Sequence, residues 1–428
     1  MGAVPRKVVS VNTSDRGSGA ERIAFGLFKA LQWRGAESWL LVGDKKTPDP
    51  FVLPFFASPH VDYTAYQNSD ELLQLSASGA RDRAAGVEDF NFPYSRLLPE
   101  ITGSPPDLFF CHNLHGGYFD LRVLPELSHR YPVVYFLHDC WALTGHCAYP
   151  VGCSKWQTGC GACPDLTLPP AVAADATDSN WTRKRDIFAA SRLFVTAPTA
   201  WLLDRAKRSV LAPAMADARL IPSPLDTRCF CPAPKAEARA TLGLPPNAHL
   251  LVFAAFQARS NPYKDCATVE AAVHKLADLM PDADVLCVAL GQEAPELRHG
   301  RVRVRFLPFQ PQATVIRYLQ AADVYLHAAK EENFGLVTGE AQACGTPVIA
   351  TAVGGLPEVI ADGQRGLLVP PGDAGAMAAA AHRLLNDPAL RLRLGAQAAA
   401  YAARNWDQET VLDTLLEWVA EPRLPVAA

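Results

Sequence analysis

Two sets of short β-branched or aromatic runs, one in each half of the chain, constrain the fold most. The runs alternate with helical patterns, which is typical of parallel sheets flanked by helices. They cover residues 7–11, 38–42, 107–111, 133–137 and 193–197 in the first half, and 250–254, 284–288, 302–306, 323–327 and 347–351 in the second. Each half is therefore predicted to form its own sheet within an α/β fold.

Length and proline content both favour two domains. A chain of 428 residues is too long for one ordinary core, since domains average roughly 150 residues. A proline-rich stretch from Pro222 to Pro245 separates the two halves and has the composition of a domain boundary. We expect an N-terminal domain over residues 1–218, a C-terminal domain over 219–404, and a helix within 405–428 that crosses back to the N-terminal domain.

Composition narrows the classes of function. A net charge of -4, with 20% charged and 49% hydrophobic residues, describes a globular protein and gives no reason to expect a nucleic acid partner. Residues 1–7 lack the apolar core of a leader segment, and no apolar run reaches the roughly 18 residues of a spanning helix. A cytoplasmic location is expected.

Two glutamates beside a predicted helix start form the most informative pattern. Glu332 and Glu340 are separated by seven residues, and a helix is predicted to begin near Gly335. Unpaired backbone N–H groups at a helix start bind anions, and Glu340 would lie roughly 8 Å further along the helix. This offset suits a nucleotide sugar: hexose hydroxyls at the first glutamate, the diphosphate at the helix start and ribose hydroxyls at the second. The further candidates are Asn333, Phe334, Gly335, Leu336 and Val337.

A solvated acidic loop is the alternative interpretation of the same glutamates. The second glutamate would then lie in an early turn of a helix, where the macrodipole favours negative charge. Two cations, Arg259 and Lys264, follow the run 250–254 at the predicted carboxyl edge of the sheet, where α/β sheets bind ligands. Such cations stabilise a departing diphosphate, although a pair of surface cations would have the same spacing.

Polar residues also follow strands of the first half. Gly19 lies in a Gly-x-Gly loop after the first strand, which could indicate NAD binding, but Arg22 replaces the third glycine of that fingerprint. His138 and Asp139 end the strand 133–137, and the preceding strand is followed by His112 and His115. A histidine at such a position is more often structural than catalytic.

The second half closely resembles glycosyltransferase family 4. The resemblance covers the Glu-x7-Glu signature with Phe334-Gly335, the turn Ala343-Cys344-Gly345, the Gly-Gly-x-x-Glu that ends at Glu358, and residues 362–373. It implies the GT-B fold, which has two Rossmann-like domains facing a cleft, with the donor bound mainly by the second. It also implies that Arg259 and Lys264 neutralise the donor phosphates.

The same resemblance implies an activity. It suggests a retaining transfer of a hexose, from UDP in preference to GDP, onto a saccharide or lipid-linked acceptor in polysaccharide or glycoconjugate synthesis. Front-face displacement would need no catalytic cofactor or metal. His138 would touch the transferred sugar, Gly19 the donor phosphate or the acceptor, and the acceptor side would comprise Asp139, His112 and His115. A same-fold sugar-nucleotide epimerase, a glycogen-phosphorylase-like enzyme and a non-catalytic sugar-nucleotide-binding protein are the alternatives.

A cysteine-rich loop spans residues 140–163. Four of its cysteines have the spacing C-x5-C-x6-C-x2-C, namely Cys147, Cys153, Cys160 and Cys163. In a reducing compartment such a loop, which has few apolar residues, needs a cross-link to be stable, and four thiolates can form a closed structural zinc site. Two disulfides or packed reduced thiols are the alternatives. The loop resembles a cysteine-bearing insertion in polysaccharide-building members of the family, a resemblance that names no metal.

Positive charge clusters in the first half, at Arg183-Lys184-Arg185 and within residues 203–208. Such clusters are usually a solvated face. Peripheral contact with the inner face of the membrane is the alternative, because basic patches bind anionic lipid headgroups.

Overall fold

The chain folds as two compact units in a computed structural model that describes residues 5–17, 19–61, 70–254, 261–291 and 293–421. The first unit comprises the chain up to Pro224 together with the segment from Gln408 onward, and the second comprises Leu225–Asp407. The chain therefore leaves the first unit once and returns to it at the C-terminal helix.

The first unit is built on a parallel sheet of seven strands. Along the sheet the order is β3-β2-β1-β4-β5-β6-β7. The strands are β1 (Lys7–Ser14), β2 (Glu37–Asp44), β3 (Val52–Pro54), β4 (Leu108–Cys111), β5 (Val133–Phe136), β6 (Leu193–Ala197) and β7 (Met215–Leu220). The helices are α1 (Gly19–Trp33), α2 (Asp70–Ala84), α3 (Leu124–Arg130), α4 (Thr177–Ala189) and α5 (Ala200–Lys207). The order reverses between β1 and β4, which is where α/β sheets of this kind bind ligands.

The second unit repeats this plan. Its sheet has the order β10-β11-β9-β8-β12-β13-β14, and only β10 runs antiparallel to its neighbour. The strands are β8 (His249–Ala254), β9 (Val285–Leu290), β10 (Leu297–His299), β11 (Val302–Leu307), β12 (Val324–His327), β13 (Val348–Thr351) and β14 (Gly366–Val369). The helices are α6 (Lys235–Thr241), α7 (Cys266–Leu279), α8 (Gln312–Ala321), α9 (Leu336–Ala343), α10 (Leu356–Ile360), α11 (Ala374–Asn386) and α12 (Pro388–Asn405). Here the order reverses between β8 and β12.

The ten runs named from the sequence are the ten inner strands of the two sheets. Strands β4, β5, β9, β12 and β13 are buried along their whole length. Apolar side chains are needed on both faces of such strands, because helices cover a parallel sheet on both sides. Aliphatic and aromatic residues therefore dominate these segments, which made them visible in the sequence.

The C-terminal helix α13 (Gln408–Ala420) belongs to the first unit. Arg34, just beyond the end of α1, donates hydrogen bonds to Glu409 at 2.8 Å and to Asp413 at 2.6 Å. The fully buried Trp418 donates its indole N–H to Asp217 in β7 at 2.6 Å. Polar contacts at both ends therefore fix this helix against the sheet and α1.

Candidate functional site

The switch point of the second sheet brings Lys264 and Glu332 together. The segment after β8 lies beside the segment after β12: Asp265 N donates to Ala328 O at 3.1 Å, and Lys330 N donates to Tyr263 O at 2.9 Å. This pairing places the Lys264 ammonium against the Glu332 carboxylate, to which it donates a hydrogen bond. Two residues that the sequence predicted as donor-binding therefore form one ion pair.

The environment of Glu332 keeps it ionised. Burial by itself raises the pKa of this carboxyl, but the charge of Lys264 and the contact with His327 lower it, and the pKa lies well below its usual value. His327 Nε2 lies 3.5 Å from Glu332 Oε2, and Asn333 N donates to Oε1 at 3.2 Å. The site therefore holds a fixed anion beside a fixed cation.

Gly354 fixes the backbone of Glu332. Gly355 N donates to Glu332 O at 3.0 Å. A Cβ on Gly354 would stand 1.9 Å from the same oxygen, and Gly354 has a φ of +58°. Only glycine fits this approach, because other residues meet both a clash and an unfavourable conformation.

Helix α9 begins as the sequence predicted. Gly335 precedes it in the left-handed conformation with φ +63°, and Thr338 N donates to Gly335 O at 2.7 Å. The amides before Thr338 have no partner within an α-helix, so the turn at Leu336 and Val337 has the form of an anion-binding helix start. Phe334 anchors this turn against Trp406, with ring centroids 5.2 Å apart.

The two glutamates are not solvated. Glu332 is 8% exposed and Glu340, inside α9, is 1% exposed. Burial raises the pKa values of Tyr325 and Cys344, and the negative charge of Glu340 raises both pKa values further. The alternative interpretation as a solvated acidic loop is therefore wrong. The other predicted phosphate cation, Arg259, lies outside the described residues.

The first unit gathers its predicted residues after β4 and β5. His138 Nε2 lies 3.0 Å from His112 Nδ1, and His115 Nε2 lies 3.2 Å from Asp139 Oδ2. Trp141 N donates to Asp139 Oδ1 at 2.8 Å. His112 itself is 0% exposed and stacks on Phe136, so it reaches this site only through His138.

Burial governs the charge of these groups. It lowers the pKa of His138 to about 4 and holds that of His112 well below its ordinary value of 6.5, so both imidazoles are neutral at pH 7. Burial raises the pKa of Asp139, but His115, the amide of Trp141 and His138 lower it, and the net pKa is below its usual value. Gly19, at the start of α1, follows β1 at the neighbouring strand end.

A buried lysine holds the loop that begins at His138. Lys184 is 0% exposed, pairs with Glu88 at 2.8 Å, and donates to Trp141 O and Thr144 O at 3.0 Å each. Its neighbour Arg183 donates to Glu88 O at 2.9 Å. The prediction of a solvated cluster at 183–185 is therefore wrong for Lys184, which is buried, whereas Arg183 is half-buried and Arg185 is exposed.

Four of the loop cysteines are unbridged and line one small cavity together with His146, namely Cys147, Cys153, Cys160 and Cys163. Burial raises the pKa of Cys147 to about 12 and that of Cys160 to about 11. Over the described ranges, no three His, Cys, Asp or Glu side chains stand where they could hold one metal ion. The zinc prediction therefore stays a prediction.

Among helices of the described segments, none has the length and apolar character needed to cross a bilayer.

Sequence reasoning missed His327, Gly354, Lys184 and His146. His327 ends a buried strand, and the same rule that selected His138 would have selected it. Gly354 lies in a quoted motif without an assigned role. The burial of Lys184 left no signal in the sequence, because an isolated basic triplet is usually solvated.

The second unit matches a known family. Residues 246–401 match the model described as "Glycosyl transferases group 1". This match lies entirely within the second unit. The D-inositol 3-phosphate glycosyltransferase of Streptomyces bingchenggensis is 40% identical over 190 residues, which are 41% of this chain and 41% of that protein. The enzyme of the same name from Actinosynnema mirum is 36% identical over 207 residues, which are 45% of this chain and 49% of that protein. The chain thus spans less than half the length of these relatives.

Solved structures with the same fold cover nearly all of the chain. Sucrose-phosphate synthase from Thermosynechococcus elongatus has a TM-score of 0.63 at 19% identity, covering 97% of this chain and 98% of that one. Anabaena HepE, solved in complex with UDP-glucose, has a TM-score of 0.61 at 17% identity, covering 97% and 99%. The predicted class of two Rossmann-like α/β domains, matching GT-B glycosyltransferases, is confirmed.

Proposed function

We infer that this protein is a retaining family 4 glycosyltransferase that moves a hexose from a nucleotide diphosphate sugar onto a saccharide or lipid-linked acceptor, in polysaccharide or glycoconjugate synthesis. One observation carries the inference. Lys264, Glu332 and the start of α9 converge at the switch point of a glycosyltransferase group 1 domain. A cation, a fixed carboxylate and free helix amides are the groups that a sugar diphosphate requires.

Each group has a distinct part in binding the donor. The diphosphate accepts hydrogen bonds from the amides at residues 334–337 and meets the charge of Lys264, with Arg259 as a second cation. Glu332, kept anionic, accepts hydrogen bonds from hexose hydroxyls, and Glu340 accepts them from the ribose. Fixed charges act strongly here because Glu332 and Glu340 are buried.

Retention of the sugar configuration is the expected stereochemical outcome. The Glu332 carboxylate already accepts hydrogen bonds from Lys264 and from the backbone N–H of Asn333, and Glu340 is assigned to the ribose, so neither glutamate is proposed as a nucleophile. The acceptor hydroxyl oxygen attacks the anomeric carbon of the hexose from the face that the diphosphate leaves. The new glycosidic C–O bond forms while the C–O bond to the diphosphate breaks, and a diphosphate oxygen takes the hydroxyl proton. Lys264 stabilises the charge on the leaving group, and turnover should need no added Mg²⁺.

The donor and acceptor are proposed from two kinds of support. A UDP-hexose is favoured as the donor because HepE, which has the same fold, was solved with UDP-glucose. An inositol phosphate is included among the acceptors to be tested because the similar proteins are named D-inositol 3-phosphate glycosyltransferases. Asp139 and His115 are proposed to orient the acceptor, and His138 to touch the transferred hexose.

Acceptor-dependent release of nucleoside diphosphate tests the function. The full chain is incubated with UDP-glucose, UDP-galactose, UDP-N-acetylglucosamine or GDP-mannose, with saccharides, inositol 3-phosphate and lipid-linked saccharides as acceptors. We expect product only with an acceptor, and NMR should show the anomeric configuration of the donor. An inverted product would contradict retention, epimerised donor without an acceptor would indicate an epimerase, and binding without turnover would indicate a binding protein.

A further inference from the structure

The cysteine-rich loop of the first unit encloses a cavity that the glycosyltransferase function does not use. Its volume is about 30 Å³, and its lining includes His146, Cys147, Cys153, Cys160 and Cys163. This is enough room for a metal ion, since even a water molecule needs only about 10 to 15 Å³. Five groups that can bind a metal thus face one small cavity.

His146 is the donor that the cysteine spacing did not reveal. Its side chain is buried, and its Nδ1 lies 3.0 Å from the carbonyl oxygen of Pro170. A carbonyl can only accept a hydrogen bond, so Nδ1 donates to it, and in the tautomer with this single N–H the lone pair lies on Nε2. Metal-binding histidines almost always have this second bond, which fixes the tautomer and the orientation of the ring.

Nε2 of His146 points at a cysteine sulfur. The distance from Nε2 to Cys163 Sγ is 3.4 Å. Zinc–sulfur bonds of about 2.3 Å and zinc–nitrogen bonds of about 2.05 Å, at a tetrahedral angle, place two ligands of one ion about 3.6 Å apart. The observed separation is therefore close to the spacing of two ligands that share a zinc ion.

Cys160 has the support expected for a thiolate ligand. The backbone N–H of Gly145 donates to its sulfur at 3.2 Å, which stabilises negative charge on sulfur. Cys160 also lies between Gly159 and Gly161, which have φ values of +146° and +130°. No three donors within the described residues surround a common ion position, so metal binding requires a shift of this loop, and glycine on either side of Cys160 puts little steric restriction on such a shift.

We propose that this cavity is a structural zinc site in which His146 Nε2 and the thiolates of Cys160 and Cys163 are three of four ligands, with Cys153 or Cys147 as the fourth. Each thiol that binds releases one proton to solvent, while neutral His146 releases none. Four protein ligands leave no open position, so the ion holds the loop and takes no part in transfer. The loop it holds begins at His138.

Metal content of the full chain tests the proposal. Protein expressed with zinc and purified with reductant but without chelator should contain about one zinc per chain by mass spectrometry. His146→Ala and Cys163→Ser should each lose most of it, and His146→Cys should restore it, because cysteine supplies another ligand. Cys140→Ala is the matched control: Cys140 lies in the same loop but not among the cavity-lining residues, so this variant should keep the zinc.

Cobalt substitution provides a second readout that does not depend on a variant folding. Co²⁺ in the wild-type protein should show tetrahedral d–d bands and thiolate charge-transfer absorption. Less than roughly a tenth of an equivalent of zinc in wild type would overturn the proposal, whether mass spectra find the cysteines bridged or free. Full zinc in folded His146→Ala would overturn the assignment of His146 and point to four cysteines.

Discussion

Lys264 and Glu332 lie 68 positions apart in the chain, yet the lysine ammonium donates a hydrogen bond to the glutamate carboxylate. Each residue follows one of the two central strands at which the order of the second sheet reverses. The pair joins the predicted cation of the phosphate site to the predicted ligand of the hexose, so a change in either should affect both.

Lys264→Met should reduce kcat/KM by roughly 100-fold, because about 3 kcal/mol of transition-state stabilisation is lost when a buried charge loses its partner. The side chain of Lys264 is 20% exposed and that of Glu332 is 11% exposed, and unchanged circular dichroism would show that the variant is folded. Lys330→Met is the control, because this lysine lies nearby with an exposed side chain. Its contact with Tyr263 is made by the backbone N–H, which the substitution keeps. Equal activity of the two variants in steady-state assays would argue against the site.

Gly354→Ala should unfold the second unit more readily than Gly363→Ala. Both glycines have positive φ, +58° and +71°, but only at Gly354 would a Cβ meet the Glu332 carbonyl, whereas Gly363 has nothing within 4 Å. The conformational strain alone amounts to about 1–2 kcal/mol, and the clash adds to it. Urea unfolding measures both variants, and similar midpoints would show that Gly354 does not fix Glu332.

Stability should fall as the pH drops from 6.5 to 5. Burial holds the pKa of His112 well below its ordinary value of 6.5, and that of His138 at about 4. The unfolded chain therefore binds protons first, so the stability is fully present above pH 6.5 and declines below it, by up to about 1.4 kcal/mol per pH unit for His112. His112→Phe should flatten this slope in unfolding measurements, whereas His129→Gln, at an exposed position, should leave it unchanged.

The pattern of the sequence predicted the inner strands and not the edges. The unnamed strands β3, β7, β10 and β14 are the two edges of each sheet. Strands β3 and β10 have only three residues each, and β7 has no buried residue. Edge strands are covered less completely, so their sequences lack the continuous apolar runs that mark inner strands.

The candidate site was predictable where a motif or a strand end marked it. Glu332, Glu340 and Lys264 were identified in this way. The contacts of His327 and Gly354 with Glu332 were not predictable, because they depend on how segments far apart in the chain meet. The burial of Lys184 was contrary to expectation, since lysine is rarely buried unless paired.

Lys184→Met should destabilise the first unit by about 3–5 kcal/mol, because Glu88 would remain partly buried without its cation. Adding Glu88→Gln should recover part of this loss, since the neutral amide can still accept the hydrogen bond from Trp141 Nε1. Arg185→Gln, at an exposed pair with Asp186, should change stability by less than about 0.5 kcal/mol. Thermal unfolding of the three variants decides whether Lys184 forms a stabilising buried ion pair with Glu88 or belongs to a solvated basic cluster.

Calorimetric titration of the full chain with UDP-glucose, and with the other nucleotide sugars of the panel, tests the central claim most directly. We expect at least one nucleotide sugar to bind wild type, and Glu340→Ala to bind it roughly 100-fold more weakly, since a buried carboxylate that meets ribose hydroxyls contributes about 3 kcal/mol. Unchanged circular dichroism of the variant would show that it is folded. Failure of every nucleotide sugar to bind wild type, or equal affinity in folded Glu340→Ala, would contradict a donor site at α9.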